Sequence, residues 1–328
     1  MASLLDHVVD LFEHLDRGRA RLLTVLTYHR IAERAADPDD LDPALISASP
    51  ADFERHVEWL ASNAVPVSLA DVLAAQAGLA PLPPRAVLVT FDDAYRDFAD
   101  CAWPVMREHG LPATLFVATG YPGRRGHGFW WDRLHRALVR TSRCDPLPTP
   151  VGELALATTA DRERAHRAVA SMVHRTPHDA AMAMLEQVIA GVGDAEPICP
   201  VLDWPQLRQL AAEGVGLAPH TRTHARLDRL RVDRARHEIA GSRGDLEREI
   251  GGCPRAFAFP AGGYDEQSTA LLEDEGFAVA FTTRRGPNDL ARPDWLQLRR
   301  SNVGRRSTLP VLRAQLLAVP ARVLGAVR

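Results

Sequence analysis

An α/β fold built on a mainly parallel sheet is predicted by three features of this 328-residue chain. Helix-like segments end three times at a glycine and run straight into an apolar strand. Short apolar runs alternate with helical patterns along most of the chain. Two of those runs are followed at once by residues able to carry chemistry. Glycine just past a helix supplies the left-handed stop that ends it, so each such glycine marks a helix-to-strand junction.

The first predicted strand is Leu22–Tyr28, and the second, Ala86–Thr90, is equally short and apolar. Gly110 leads into Ala113–Ala118, Gly214 into Val215–Ala218 and Gly276 into Phe277–Thr283, with Ala256–Phe259 and Leu296–Val303 completing seven runs. Strands separated by helices pair in parallel, and ligands of such sheets collect at the carboxyl ends of the strands, whether the sheet is open or closed into a barrel. From about residue 123 to 200 the alternation lapses. That stretch shows helical patterns at Trp131–Arg140, Asp161–Arg175 and Asp179–Ala190 with no clear strand, and is expected to be a helical insertion capping the site within one domain spanning residues 1–328. In the last stretch, Leu309–Arg328, Leu312, Leu316, Val319 and Val323 recur at helical spacing. This reads as a helix docked on the core, with weak peripheral membrane contact as the alternative.

Composition narrows the function. Hydrophobic residues at 46% and charged residues at 25% are ordinary for a globular enzyme. All 39 basic residues are Arg, yet they are dispersed and the net charge is −3, which argues against nucleic acid as a partner. Cys101, Cys144, Cys199 and Cys253 form no C-x-x-C pair and read as free thiols. Asp6, Asp10, Glu13 and Asp16 interrupt the N-terminal apolar residues, unlike the core of a signal peptide, and no apolar run reaches 18 residues. A cytoplasmic location is the expectation.

Chemistry concentrates after two strands. Asp92 and Asp93 follow Ala86–Thr90, and adjacent residues leaving a strand point in different directions. One carboxylate can hold a metal while its neighbour faces a water, the division that metal-assisted hydrolysis needs. After Val215–Ala218 come His220 and His224, which would share a face if the segment formed one helical turn. Among 13 histidines, about half of one such pair arises by chance, and His174 with His178 is a second instance. That second pair follows no strand and has Pro177 between its members, so it reads as a solvated helix end. Asp93, His220 and His224 together offer two nitrogens and one oxygen, the donor set of a catalytic zinc site with one position open for water.

The T-F-D-D stretch Thr90–Asp93 and the H-T-R-T-H stretch His220–His224 resemble the first two motifs of the NodB-homology polysaccharide deacetylases, carbohydrate esterase family 4. Thr27-Tyr28-His29-Arg30, Phe116–Gly120 and Phe257–Gly262 resemble further signatures in the same order, so the resemblance runs from about residue 22 to 303. It implies an irregular seven-stranded (β/α) barrel and hydrolysis of an N-acetyl or other small acyl group. The substrate would be an acetylated amino sugar, oligosaccharide or lipid-linked glycoconjugate. By the same resemblance Asp92 is the general base, Asp93, His220 and His224 hold one divalent ion, zinc foremost, and the N–H of Ala261 helps bind the oxyanion. The chain departs from the family at two places: Ala258 stands where many members carry an Arg that orients the base, and no late Leu-x-His supplies a general acid. His29 and Arg300 are the candidates to fill these gaps. Arg300 shares a strand face with Leu298 and Asn302 and is expected to pair with Asp92, or else with Asp294, while Arg299 points away. The departures also keep two other readings open, a non-catalytic carbohydrate-binding barrel and a C–N hydrolase of non-sugar amides. Phe129-Trp130-Trp131-Asp132 is read first as an anchor for the insertion, and second as a sugar-stacking platform.

Overall fold

The computed structural model describes residues 21–33, 41–124, 128–193 and 200–317. The N-terminal stretch, Cys199 and the end of the predicted C-terminal helix lie outside the described residues. In chain order the elements are β1 (Leu22–Tyr28), β2 (Arg30–Ile31), β3 (Ile46–Ala48), α1 (Pro50–Asn63), β4 (Val65–Val67), α2 (Leu69–Gln76), β5 (Ala86–Asp92), α3 (Trp103–Glu108) and β6 (Thr114–Val117). The insertion contributes α4 (Trp130–Arg140), β7 (Leu147–Thr149), β8 (Gly152–Leu154), α5 (Thr159–Arg175) and α6 (His178–Val192). There follow α7 (Trp204–Ala212), β9 (Gly216–Pro219), α8 (Val232–Ile250), β10 (Ala256–Ala258), α9 (Glu266–Asp274), β11 (Val279–Phe281), β12 (Asn288–Asp289), β13 (Ser301–Asn302) and α10 (Leu309–Gln315).

Strands β1, β5, β6 and β9 pair in parallel, in that order. Their inner and outer faces are both covered, which is why β5 is buried at every position and reads as a continuous apolar run. β4 pairs with the first half of β5, β13 with the end of β1, and β12 runs antiparallel to the start of β1.

The α/β fold with a mainly parallel sheet is as expected, but the irregular seven-stranded barrel is not seen as a closed sheet among the described residues. β10 and β11 make a separate parallel pair, and β11 meets the segment before β13 through an isolated bridge between Phe281 and Leu298 and backbone hydrogen bonds such as Thr282 N–H to the Leu298 carbonyl at 2.8 Å. At the other edge β10 has no ladder to β9. Two residues account for that gap. Pro219, at the end of β9, has no N–H to donate, and the carbonyl of Ala258 in β10 is taken by the His220 side chain at 2.7 Å. The sheet therefore stays open where the site lies.

The insertion has its own apolar core, in which Leu134, Leu138, Val169, Leu185 and Ile189 pack between α4, α5 and α6. It also contains the antiparallel β7–β8 hairpin, against the expectation of no strand. Each of those strands has three residues and carries Pro, Gly or Glu, so no alternating pattern was there to read. α10 docks through Leu312 and Leu316 into the main core, as expected of its apolar stripe. Among the described residues no helix is long and apolar enough to cross a membrane.

Candidate active site

The carboxyl end of β5 turns abruptly. Asp92 ends the strand, and Asp93 and Ala94 follow with φ of 73° and 54°. Described non-glycine residues with positive φ number six, and five of them (Asp93, Ala94, Thr221, His224 and Ala261) lie in the three loops that meet here. Strain of this kind persists only where surrounding structure enforces it. The left-handed turn sends the two carboxylates in different directions, and both are buried.

Asp92 accepts two hydrogen bonds from Arg300, from Nη1 at 2.7 Å and Nη2 at 2.8 Å, while Arg300 Nε donates to the carbonyl of Thr282 at 2.9 Å. This is the bidentate geometry that only a guanidinium provides. Burial pushes the Asp92 carboxyl up, but Arg300, His220 and His29 outweigh it, and the group ends well below the usual carboxylate range. Arg300 pairs with Asp92 and not with Asp294. Arg299 takes the opposite direction, donating from Nη1 to the carbonyl of Arg285 at 3.1 Å. His29 Nε2 lies 4.0 Å from Asp92 Oδ2, and its backbone N–H is anchored on Ser47 Oγ at 2.9 Å.

His220 and His224 converge on Asp93. Asp93 Oδ1 is 3.3 Å from His224 Nε2 and 3.9 Å from His220 Nε2. The predicted helical turn is absent. Residues 220–224 form a loop in which Thr221 and His224 adopt left-handed backbone, and this brings the two imidazole centroids to 4.8 Å. The loop is pinned from both sides. Gly120 N–H donates to the carbonyl of Arg222 at 2.7 Å, an approach in which an added Cβ would sit 2.6 Å from that oxygen. From α8, Glu238 accepts the N–H groups of Arg222 and Thr223 and the Thr223 hydroxyl.

The donor set fits a cation. Asp93 Oδ1 is buried without a hydrogen-bond partner, an arrangement that costs free energy unless something positive meets it. Burial, then the charges of Asp92 and Asp132, push the Asp93 carboxyl well above the usual range, and a bound cation would reverse that shift. His220 directs Nδ1 at the carbonyl of Ala258, leaving Nε2 to face the site. Burial lowers its pKa to about 4 and that of His224 well below the ordinary value, so both imidazoles are neutral near pH 7, the form that binds a metal.

These groups form the floor of a cavity of about 840 Å³, and Ala261 lines it with φ of 49°. The insertion supplies one wall, including Trp130, Arg167 and His174. The second histidine pair is thus on the cavity wall, with His174 exposed and His178 partly so, and makes no cluster with a third ligand among the described residues. Trp131 and Phe129 are buried and stacked at 4.6 Å, and Trp131 meets the His224 ring edge-on at 4.8 Å, so they anchor the insertion and buttress a site residue together. Trp130 and Trp131 both line the cavity, Trp130 as the more exposed of the two.

The polysaccharide deacetylase family pattern matches residues 80–280, a stretch that contains Asp92, Asp93, His220 and His224. The chain belongs to the polysaccharide deacetylase family. That family comprises hydrolases of acylated sugars, the NodB-homology group. The poly-β-1,6-N-acetyl-D-glucosamine N-deacetylase of Escherichia coli (strain K12) is 32% identical over 89 residues, 27% of this chain and 12% of that protein. The chain therefore matches only a small part of this curated relative. Among solved structures, the Streptococcus pyogenes deacetylase PplD, in complex with acetate, superposes with a TM-score of 0.59 at 18% identity, covering 90% of this chain and 98% of that one. IcaB from Ammonifex degensii does so with 0.56 at 20% identity, covering 90% and 97%. Both carry the same deacetylase fold.

Sequence reasoning missed the supports. Glu238 and Asp245 sit seven residues apart on the buried face of α8, a pattern visible in the sequence, and Asp245 ties Thr119, Arg222 and Arg248 together. Asp132, buried behind the site, accepts from the Tyr95 hydroxyl at 2.7 Å, which in turn accepts from Trp131 Nε1 at 2.8 Å. Only the adjacent aromatics hinted at that chain.

Proposed function

We propose that this chain is a divalent-metal-dependent deacetylase that removes an N-acetyl or other small acyl group from an amino sugar within an oligosaccharide, polysaccharide or lipid-linked glycoconjugate. The observation that carries the reading is the convergence of the partnerless Asp93 Oδ1 with His220 and His224 beside an Arg300-held Asp92, on the floor of an open cavity. Family membership and the amino-sugar polymer named for the E. coli relative support the substrate class.

Asp93, His220 and His224 would hold the ion, zinc by the two-nitrogen, one-oxygen set. Such an ion supplies Lewis acidity, lowering the pKa of water and polarising the acyl oxygen. Arg300 keeps Asp92 ionised and fixed in orientation, and Asp92 takes the proton of the attacking water. Ala261 lines the cavity, and its N–H would bind the oxyanion, the neighbouring Gly262 and Gly263 N–H groups being spent on the carbonyls of Phe259 and Pro260. The departing amine needs a proton, and His29, within 4.0 Å of Asp92, is placed to relay it. Burial lowers the His29 pKa, so it is neutral at rest and free to accept a proton before passing it on.

Acetate release from a panel of N-acetylated amino sugars and oligomers, before and after metal stripping, tests this. Release that falls on stripping and returns with zinc supports the reading. Sugar binding without release by the metal-loaded protein would favour a carbohydrate-binding barrel, and release only from non-sugar amides a different C–N hydrolase. The proposed place of work is the cytoplasm, which cell fractionation of the native protein tests directly.

A further inference from the structure

A second mixed set of imidazoles and carboxylate stands apart from the Asp93 cluster. Asp42 caps the turn Pro43–Leu45, His135 lies in α4 and His166 in α5, and one ligand atom of each lies within 4.8 Å of the others. None has a part in the reaction above.

Three features separate this set from an ordinary ion pair. His166 Nε2 and Asp42 Oδ2 are 3.5 Å apart. That exceeds a good N–H···O hydrogen bond, about 2.7–3.2 Å, but two ligands on a tetrahedral ion with bonds of about 2.0–2.1 Å stand roughly 3.3–3.4 Å apart. His224 and Asp93 show nearly the same separation, 3.3 Å. Next, His166 Nε2 is shut off from solvent with no hydrogen-bond partner. Lastly, Asp42 is held in a presenting posture. Its Oδ1 accepts the Ala44 N–H at 2.9 Å, leaving Oδ2 toward His166, and its own N–H donates to Asp132 Oδ1 at 2.9 Å. The His135 and His166 rings stand at 87° with centroids 5.7 Å apart, much as His220 and His224 stand at 74° and 4.8 Å.

We propose that Asp42, His135 and His166 form a second divalent-cation site of the zinc type, with water completing the tetrahedron. Two imidazoles and one carboxylate favour zinc, cobalt or nickel over magnesium or calcium. The site joins two helices of the insertion to the segment after β2, so the ion acts as a clip on the cavity wall. Through Asp132, Tyr95 and Trp131 the clip reaches the ring that buttresses His224.

The test is metal stoichiometry by elemental analysis of the full chain, stripped with chelator and reloaded with zinc alone. The wild type should take up two equivalents. His135→Gln with His166→Gln should take up one, and the rise in melting temperature on adding zinc should shrink. His220→Ala with His224→Ala should also take up one, the complementary site. If the double Gln protein fails to fold, Asp42→Asn, which keeps the capping oxygen, should weaken the second equivalent about tenfold or more. A wild type that binds one equivalent, unchanged by either set of insertion-side substitutions, overturns the proposal, as do two equivalents that both survive them. A single equivalent lost only with His135 and His166 would support this site while removing the metal from the reaction proposed above.

Discussion

Replacing Arg300 by Met removes the one cation that meets Asp92 directly. The pair is bidentate at 2.7 and 2.8 Å, with side-chain exposures of 3% and 4%. Breaking a buried pair from one side costs about 3–5 kcal/mol because the remaining charge stays uncompensated. Asp92 can escape that cost by taking up a proton, and at about 1.4 kcal/mol per unit the ceiling on its pKa rise is roughly two to four units. The sign follows from the competing causes: burial already pushes this carboxyl up, and Arg300 is the foremost influence holding it down. The acidic limb of the pH profile of kcat/KM should therefore move upward by at least about one unit, and kcat at neutral pH, where Asp92 stays ionised, should fall about 10²-fold because the base loses its fixed orientation. Arg300→Lys, which restores charge without the fork, should recover part of the pH shift and little of the rate. Arg299→Met, on the outward-facing neighbour, is the control. The assay is acetate release against pH, with circular dichroism and metal content to verify fold and loading. If Arg300→Met and Arg299→Met both stay within about twofold of wild type, or the acidic limb does not move, Arg300 does not position the base.

Three further outcomes are expected. Asp92→Asn should retain the metal, measured by elemental analysis, and lose about 10²–10⁴-fold in kcat. Glu238→Ala strips the His220–His224 loop of the carboxylate that accepts two of its N–H groups and a hydroxyl, so metal affinity from competition with a chromophoric chelator should fall about 10–100-fold. Burial lowers the pKa of His56 from 6.5 to about 4, so in that window the unfolded chain binds more protons than the folded one and stability is lost as pH falls, by up to about 1.4 kcal/mol per pH unit from this group. Denaturant unfolding between pH 7 and 5 should show a shallower loss in His56→Gln than in wild type.

Much of the scaffold was legible because each αβ junction announced itself. Gly110, Gly214 and Gly276 all adopt positive φ where their helices end, and β6, β9 and β11 follow them. β1 matches its predicted bounds because a seven-residue run of five apolar residues and two threonines stands between a charged stretch and His29. β4 was not legible, since Val65-Pro66-Val67 is a three-residue edge strand with a proline, too short to show a period. Closure of the barrel was misjudged for a related reason: whether β9 and β10 pair depends on Pro219 and on where one carbonyl of Ala258 is spent, which no hydrophobic pattern encodes.

At the site, the residue types were visible and their means of convergence were not. His220 and His224 meet through left-handed backbone at Thr221 and His224, conformations stabilised by Gly120 and Glu238 from distant parts of the chain. The two-residue period of a strand correctly placed Arg300 toward Asp92 and Arg299 away from it, because that inference needs only local geometry. Asp42, His135 and His166 were invisible together, being scattered over a turn and two helices of the insertion.

The central claim is that Asp93, His220 and His224 hold the ion on which deacetylation depends. Its most direct measurement is acetate release from N-acetylglucosamine oligomers as zinc is titrated into stripped wild type and stripped His220→Ala/His224→Ala. The wild type should rise from background to saturation while the variant stays at background throughout. Full activity in the stripped wild type, or a zinc response in the variant equal to that of wild type, would contradict the claim.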